Sequence, residues 1–174
     1  MLTRRHFGMT AAAAVALSGA GAMKLFGSSA KAEDRANFPV SHTEEEWRDL
    51  LTDAEYRVLR DHGTERAGSS PLNQEHRDGV FICAACNQPV YSSETKFESG
   101  TGWPSFYAPI EGGIGTSEDR KLFMVRTEVH CSRCGGHLGH VFEDGPQPTG
   151  LRYCMNGVAM DFVPEGEPMP DLLA

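Results

Sequence analysis

Between residues 43 and 63 the apolar positions recur at helical spacing. Thr43-Glu44-Glu45-Glu46 has the spacing of a capping box, with Thr43 as N-cap and Glu46 reaching back to it. Trp47, Leu50 and Leu51 follow as an apolar stripe. A second box, Thr52 to Glu55, predicts another helix through Tyr56, Val58 and Leu59, with Gly63 placed to end it. From about Gly79 the texture changes. Val80-Phe81-Ile82, Val90-Tyr91 and Leu122 to Thr127 are short runs rich in β-branched or aromatic residues, separated by Gly, Pro, Asn and Ser. Such spacing predicts a mainly β protein, a small antiparallel sheet with long functional loops behind short N-terminal helices. Val158 to Val163 reads as a closing strand. Residues 33–42 read as a polar linker, 43–164 as one domain and 165–174 as a flexible tail.

The amino terminus lies outside this pattern. Thr3-Arg4-Arg5-His6-Phe7 is a twin-arginine motif, followed by a weakly apolar Ala-rich stretch and by Ala30-Lys31-Ala32, an A-x-A cleavage site. Residues 1–32 therefore read as a twin-arginine signal peptide, and export to the periplasm is expected. The competing reading is an uncleaved anchor, which wants about 20 strongly apolar residues. The formal net charge of the 174 residues is −8. Without residues 1–32, which hold four basic residues and no acidic one, 12 basic and 24 acidic residues remain, or −12. No nucleic-acid partner is expected of such a surface.

Five cysteines divide into four in pairs and one alone. Cys83-Ala-Ala-Cys86 and Cys131-Ser-Arg-Cys134 are two C-x-x-C knuckles, enough thiolates for one tetrahedral metal ion. Gly135, directly after Cys134, supports a knuckle turn. A structural zinc would staple the start of the sheet region to its later part. Two disulfides, or a redox iron or dithiol couple, are the alternatives at this point.

The fifth cysteine, Cys154, lies in Arg152-Tyr153-Cys154-Met155-Asn156. On a strand, Arg152, Cys154 and Asn156 would share a face. The cation would favour the thiolate, which is the attacking form. An inert buried thiol is the bland alternative. His137 and His140, in His137-Leu-Gly-His140-Val-Phe142, remain for acid–base work if four thiolates fill a metal. Trp103 sits in the glycine-rich stretch Ser99-Gly-Thr-Gly-Trp-Pro-Ser105, either in the core or presented to a pocket.

These segments together resemble the methionine sulfoxide reductases of the B type, which act on the R epimer of the sulfoxide. The matching stretches are Gly63-Thr64-Glu65, the two knuckles, Gly100 to Phe106, His137 to Phe142 with Asp144-Gly145-Pro146, and Arg152 to Asn156. The resemblance implies a fold of two antiparallel sheets with short N-terminal helices, stapled by one structural zinc on Cys83, Cys86, Cys131 and Cys134. It implies Cys154 as nucleophile and Trp103 against the substrate S-methyl group, with Phe142 also in the substrate site. His137, His140, Asn156 and Arg152 would bind and polarise the sulfoxide, and Asp144 stands where the family has an acidic residue. Oxidised proteins carrying methionine sulfoxide would be the substrates, and a monomer is expected.

Two positions depart from the family pattern. Thr101 stands where many relatives carry a second, resolving cysteine. The expected reductant of the sulfenic acid is therefore external, a thioredoxin-like protein or another thiol. Gly157 stands where serine is frequent. The rival readings are a zinc-stapled binding module without chemistry and an electron carrier with iron on the knuckles.

Overall fold

The computed structural model describes residues 38–121 and 124–173. The expected signal (1–32), the first half of the linker, Leu122, Phe123 and Ala174 lie outside the described residues. Both capping boxes form. Thr43 and Glu46 cap helix α1 (Glu44–Leu50), and Thr52 and Glu55 cap α2 (Asp53–Leu59). Trp47 and Leu51 turn inward, but Leu50 is 58% exposed, so it leaves the expected stripe. Gly63 is not the left-handed residue after α2. His62 takes that conformation (φ 53°), and the Gly63 N–H bonds the Arg57 carbonyl.

Among the described residues nine strands follow: β1 (Gly79–Cys83), β2 (Pro89–Ser92), β3 (Lys96–Phe97), β4 (Ser105–Phe106), β5 (Ile114–Lys121), β6 (Met124–Cys131), β7 (His137–Phe142), β8 (Arg152–Met155) and β9 (Met160–Pro164). They build two antiparallel sheets, as the resemblance implied: β2-β1-β9, and β3-β4-β8-β7-β6-β5. The expected closing strand begins later than its sequence suggests, because Gly157–Ala159 forms a 3-10 turn before β9.

The core is aromatic. The Tyr91 and Phe106 rings stack at 4.3 Å, and Phe81 meets Phe106 edge-on at 4.9 Å. The Tyr91 hydroxyl donates to the Met155 sulfur at 3.2 Å. On β8, therefore, Met155 faces the core, which turns Cys154 to the other side. The segment expected as a flexible tail makes hydrogen bonds onto the knuckles: Leu173 N–H to the Cys86 carbonyl, Asn87 Nδ2 to the Asp171 carbonyl, and Arg133 to the Leu173 carbonyl. Among the described residues, no helix is long and apolar enough to cross a membrane.

Candidate active site

The four paired cysteines meet at one point. Cys83 ends β1 and Cys131 ends β6, so the two knuckles project from different sheets toward each other. Each knuckle needs a left-handed residue to curl back, and Asn87 (φ 60°) and Gly135 (φ 65°) supply it. A side chain at 135 would in addition strike the Phe38 ring, 2.4 Å from an ideal Cβ. All four sulfurs are buried and lie within 4.8 Å of one another, and all five cysteines are free thiols. Sulfur separations of 3.7 Å (Cys83–Cys134) and 3.5 Å (Cys86–Cys131) match the edge of a four-thiolate tetrahedron. For Zn–S of about 2.3 Å that edge is about 3.8 Å. This cluster could hold a metal, and among the described residues the group consists of these four cysteines.

Cys154 belongs to a separate place. Residues paired directly across antiparallel strands share a face. Ser105 pairs with Cys154, Cys154 with His140, His140 with Glu128, and Glu128 with Ser117. One transverse row thus runs Ser105–Cys154–His140–Glu128–Ser117 across β4, β8, β7, β6 and β5. Two residues along the strands, Arg152, Phe142, Arg126 and Asp119 lie on the same face. Arg152 passes over the Phe142 ring at 4.5 Å and pairs with both oxygens of Asp144 at 2.9 Å. That ion pair, with a smaller share from the Cys154 sulfur, holds the guanidinium above the ordinary arginine range. Asp144 is itself exposed, so it acts on the site by fixing Arg152.

The two histidines are three residues apart, and regular strand alternation would put them on opposite faces. A register shift between β6 and β7 solves this. Val129 pairs with Gly139 and His130 with His137, which leaves Leu138 as an extra residue. The shift reverses the parity, and the His137 and His140 rings meet edge-on at 5.2 Å. His137 is buried, with Nδ1 2.7 Å from Glu128 Oε1, and His62 Nδ1 lies 2.8 Å from the same oxygen. Burial raises the Glu128 carboxyl, but hydrogen bonds and charge from His137 and His62 outweigh it and hold it well below the usual carboxylate range. His140 Nε2 lies 2.8 Å from Asp119 Oδ2, which also accepts from Arg126. Burial pushes the His140 imidazole below the ordinary histidine range, against the pull of Asp119.

Asn156 stands one residue beyond β8 and is buried. Its amide is tied to backbone: Oδ1 accepts from Glu65 N–H at 2.9 Å, and Nδ2 donates to the Leu138 carbonyl at 3.0 Å. It therefore locks the Glu65 loop to β7. Trp103 is half-buried, and its Nε1–H donates to the Glu65 carbonyl at 3.2 Å. Glu65 in turn accepts from the Gly157 and Val158 N–H groups. The Trp103 loop and the segment after Cys154 thus share one anchor. A groove of about 500 Å³ nearby, lined by Arg57, Glu65, Ser70, Gly157 and Phe162, includes neither Cys154 nor Trp103.

Sequence reading named the residues on β7 and β8 but missed their supports. Asp119, Arg126, Glu128 and His62 were not singled out. The signal for two of them was present: Arg126 and Glu128 alternate with Val125, Thr127 and Val129, which places both charges on the face opposite Val129.

A thiol beside an arginine and a histidine, on a sheet whose other cysteines are gathered elsewhere, defines a thiol-centred site separated from a four-cysteine metal cluster. A SelR domain matches residues 51–164. Among similar proteins, a peptide methionine sulfoxide reductase MsrB from Methanosarcina barkeri is 57% identical over 129 residues, covering 74% of this chain and 91% of the relative. Proteins of the same name from Pseudomonas savastanoi pv. phaseolicola and Leptospira interrogans are 54% and 49% identical, covering 72% and 74% of this chain and 96% and 99% of the relatives. The chain belongs to the peptide methionine sulfoxide reductase B family.

Proposed function

We propose that this chain reduces methionine sulfoxide in oxidised proteins to methionine, acting on the R epimer with Cys154 as nucleophile. The carrying observation is the placement of Cys154: half-exposed, registered against His140 and beside Arg152, while the other four cysteines are buried together. The Cys154 thiolate attacks the sulfoxide sulfur. This forms a bond between the two sulfurs; the oxygen takes a proton, its bond to the methionine sulfur breaks as it bonds to the Cys154 sulfur, and the sulfur–sulfur bond breaks with its electron pair left on methionine, leaving Cys154 as a sulfenic acid. One methionine is released, reduced by two electrons, and Cys154 is oxidised by two. Sulfoxide oxygen leaves poorly unless protonated, so a donor must face it. His140 and His137, held by Asp119 and Glu128, are placed for that role, and such assistance is worth about 10²–10⁴ in rate. Trp103 and Phe142 offer the apolar surface for the S-methyl group. An S epimer would press its oxygen on that surface, which costs about 1–3 kcal/mol without a partner.

No second cysteine is left to resolve the sulfenic acid. An external thiol condenses with it, releasing water and forming a mixed disulfide, and a second thiol equivalent then frees Cys154. A thioredoxin-like protein or a small thiol fits that need. Zinc is the metal we assign to Cys83, Cys86, Cys131 and Cys134, because four thiolates at tetrahedral spacing suit it. It would clip β1 to β6 and take no part in the reaction. The twin-arginine motif supports work in the periplasm, for that route carries folded proteins with metal already bound.

Single turnover of the reduced holoenzyme with a sulfoxide peptide tests this reading. We expect one methionine per chain and a sulfenic acid on Cys154 that a dione reagent traps. A peptide linking Cys154 by a disulfide to another cysteine of the chain would contradict it.

A further inference from the structure

The nucleophile has a hydroxyl neighbour whose hydrogen can be traced. Thr101 Oγ1 lies 3.8 Å from Cys154 Sγ and 2.8 Å from Ser99 Oγ, and Ser99 Oγ lies 2.7 Å from Ser105 Oγ. Each hydroxyl has one hydrogen to give. In the arrangement that also satisfies the Trp103 carbonyl, 3.2 Å away, the Ser105 hydrogen goes to that carbonyl. Ser105 can then only accept from Ser99, so the Ser99 hydrogen is also committed. Thr101 is left with one hydrogen and two acceptors, Ser99 Oγ and Cys154 Sγ. The backbone N–H of Thr101 also points at Ser99 Oγ, at 3.4 Å. Ser99 therefore keeps a donor if the Thr101 hydroxyl turns away.

We propose that Thr101 is a catalytic residue that acts as a one-hydrogen switch on the nucleophile. While Cys154 is a thiol, its S–H points to Thr101 and the Thr101 hydrogen goes to Ser99. When Cys154 ionises, the Thr101 hydrogen turns to the sulfur, where a charge-assisted bond is about twice as strong as a neutral one. The position that in many relatives holds a resolving cysteine here holds a stabiliser of the attacking thiolate. The charged and titratable groups around the sulfur are Arg152 on its own strand, His140 across β7 with His137 and Glu128 behind it, and Glu65 beyond Asn156. The loop carrying Thr101 adds no ionisable group between Ser99 and Ser105, so its effect on the sulfur is the hydroxyl alone.

The proposal rests on Cys154 being the nucleophile, but its test needs no sulfoxide. Iodoacetamide alkylation of Cys154 in the metal-loaded protein is followed against pH for wild type, Thr101→Val, Thr101→Ser and Ser99→Ala. Losing one charge-assisted bond predicts for Thr101→Val about tenfold slower alkylation on the acid side, with the midpoint about one pH unit higher and the alkaline plateau unchanged. Thr101→Ser restores the wild-type curve. Ser99→Ala, which removes the competing acceptor, leaves the midpoint unchanged or moves it down. A Thr101→Val curve that superimposes on wild type overturns the proposal, and so does an upward shift of equal size in Ser99→Ala. Equal thermal midpoints by circular dichroism show that the variants are folded. Sulfoxide turnover surviving Cys154→Ser would instead overturn the function itself, whatever the alkylation curves show.

Discussion

Ser70 fills the space in which a side chain at position 157 would stand. An ideal Cβ on Gly157 would lie 1.9 Å from Ser70 Oγ and 2.5 Å from Ser70 Cβ. The backbone cannot slide aside freely, because the Gly157 N–H donates to Glu65 and the Ser70 hydroxyl accepts from Leu72 N–H. The glycine at 157 and the serine at 70 are thus a matched pair. Gly157→Ser alone should cost about 1–3 kcal/mol through overpacking. Ser70→Gly with Gly157→Ser should recover most of that loss in urea unfolding. Additive losses in the double variant would show that the two positions are independent.

Glu128 connects two histidines through one oxygen, and its electrostatics set an acid limit on stability. Its folded-state pKa lies below the unfolded one, so its contribution is complete above about pH 4.3, the unfolded value, and is lost as pH falls toward the folded value. His140 is also depressed, and its share is lost as pH falls below about 6.5. Stability should therefore decline on acidification in two stages. Glu128→Gln should cost about 2 kcal/mol at neutral pH and remove the lower stage only. Denaturant midpoints at several pH values check this. A Gln variant with an unchanged lower stage would assign that stage to other carboxylates.

Metal removal should unfold the chain. Zinc bound to a structural four-thiolate site contributes roughly 10 kcal/mol or more, comparable with the whole stability of a domain of this size. Elemental analysis should find one zinc per chain in wild type and in Cys154→Ser. Cys86→Ser should lose the metal together with the β-sheet circular dichroism signal. A folded Cys86→Ser protein without metal would show that the knuckles are not what joins β1 to β6.

Sequence reading reached the helices, both knuckles and the placement of Cys154 on a strand with Arg152, because each has a local signature. Capping boxes, C-x-x-C spacing and the isolated Cys154 need no tertiary knowledge. Leu50 and Gly63 were misread for a local reason: a helix of seven residues buries a narrower stripe than its pattern suggests, and His62 took the left-handed turn ahead of the glycine. The rest was hidden because it depends on register. That His137 and His140 meet follows from one extra residue in β7, and that Glu128 stands behind them follows from the pairing of β6 with β7. Ser70 opposite Gly157 is a contact across 87 residues that no local pattern encodes.

Reduction of one epimer of methionine sulfoxide by Cys154 is the step from which the other roles follow. Its most direct test is turnover of the separate R and S sulfoxides in a peptide, with dithiothreitol as reductant, for wild type and Cys154→Ser. We expect reduction of the R epimer by wild type, reduction of the S epimer slower by about 5- to 150-fold, the factor that corresponds to about 1–3 kcal/mol for an unpartnered oxygen on the methyl surface, and no reduction of either by the variant. Equal rates on both epimers, or activity that persists without the Cys154 sulfur, would contradict it.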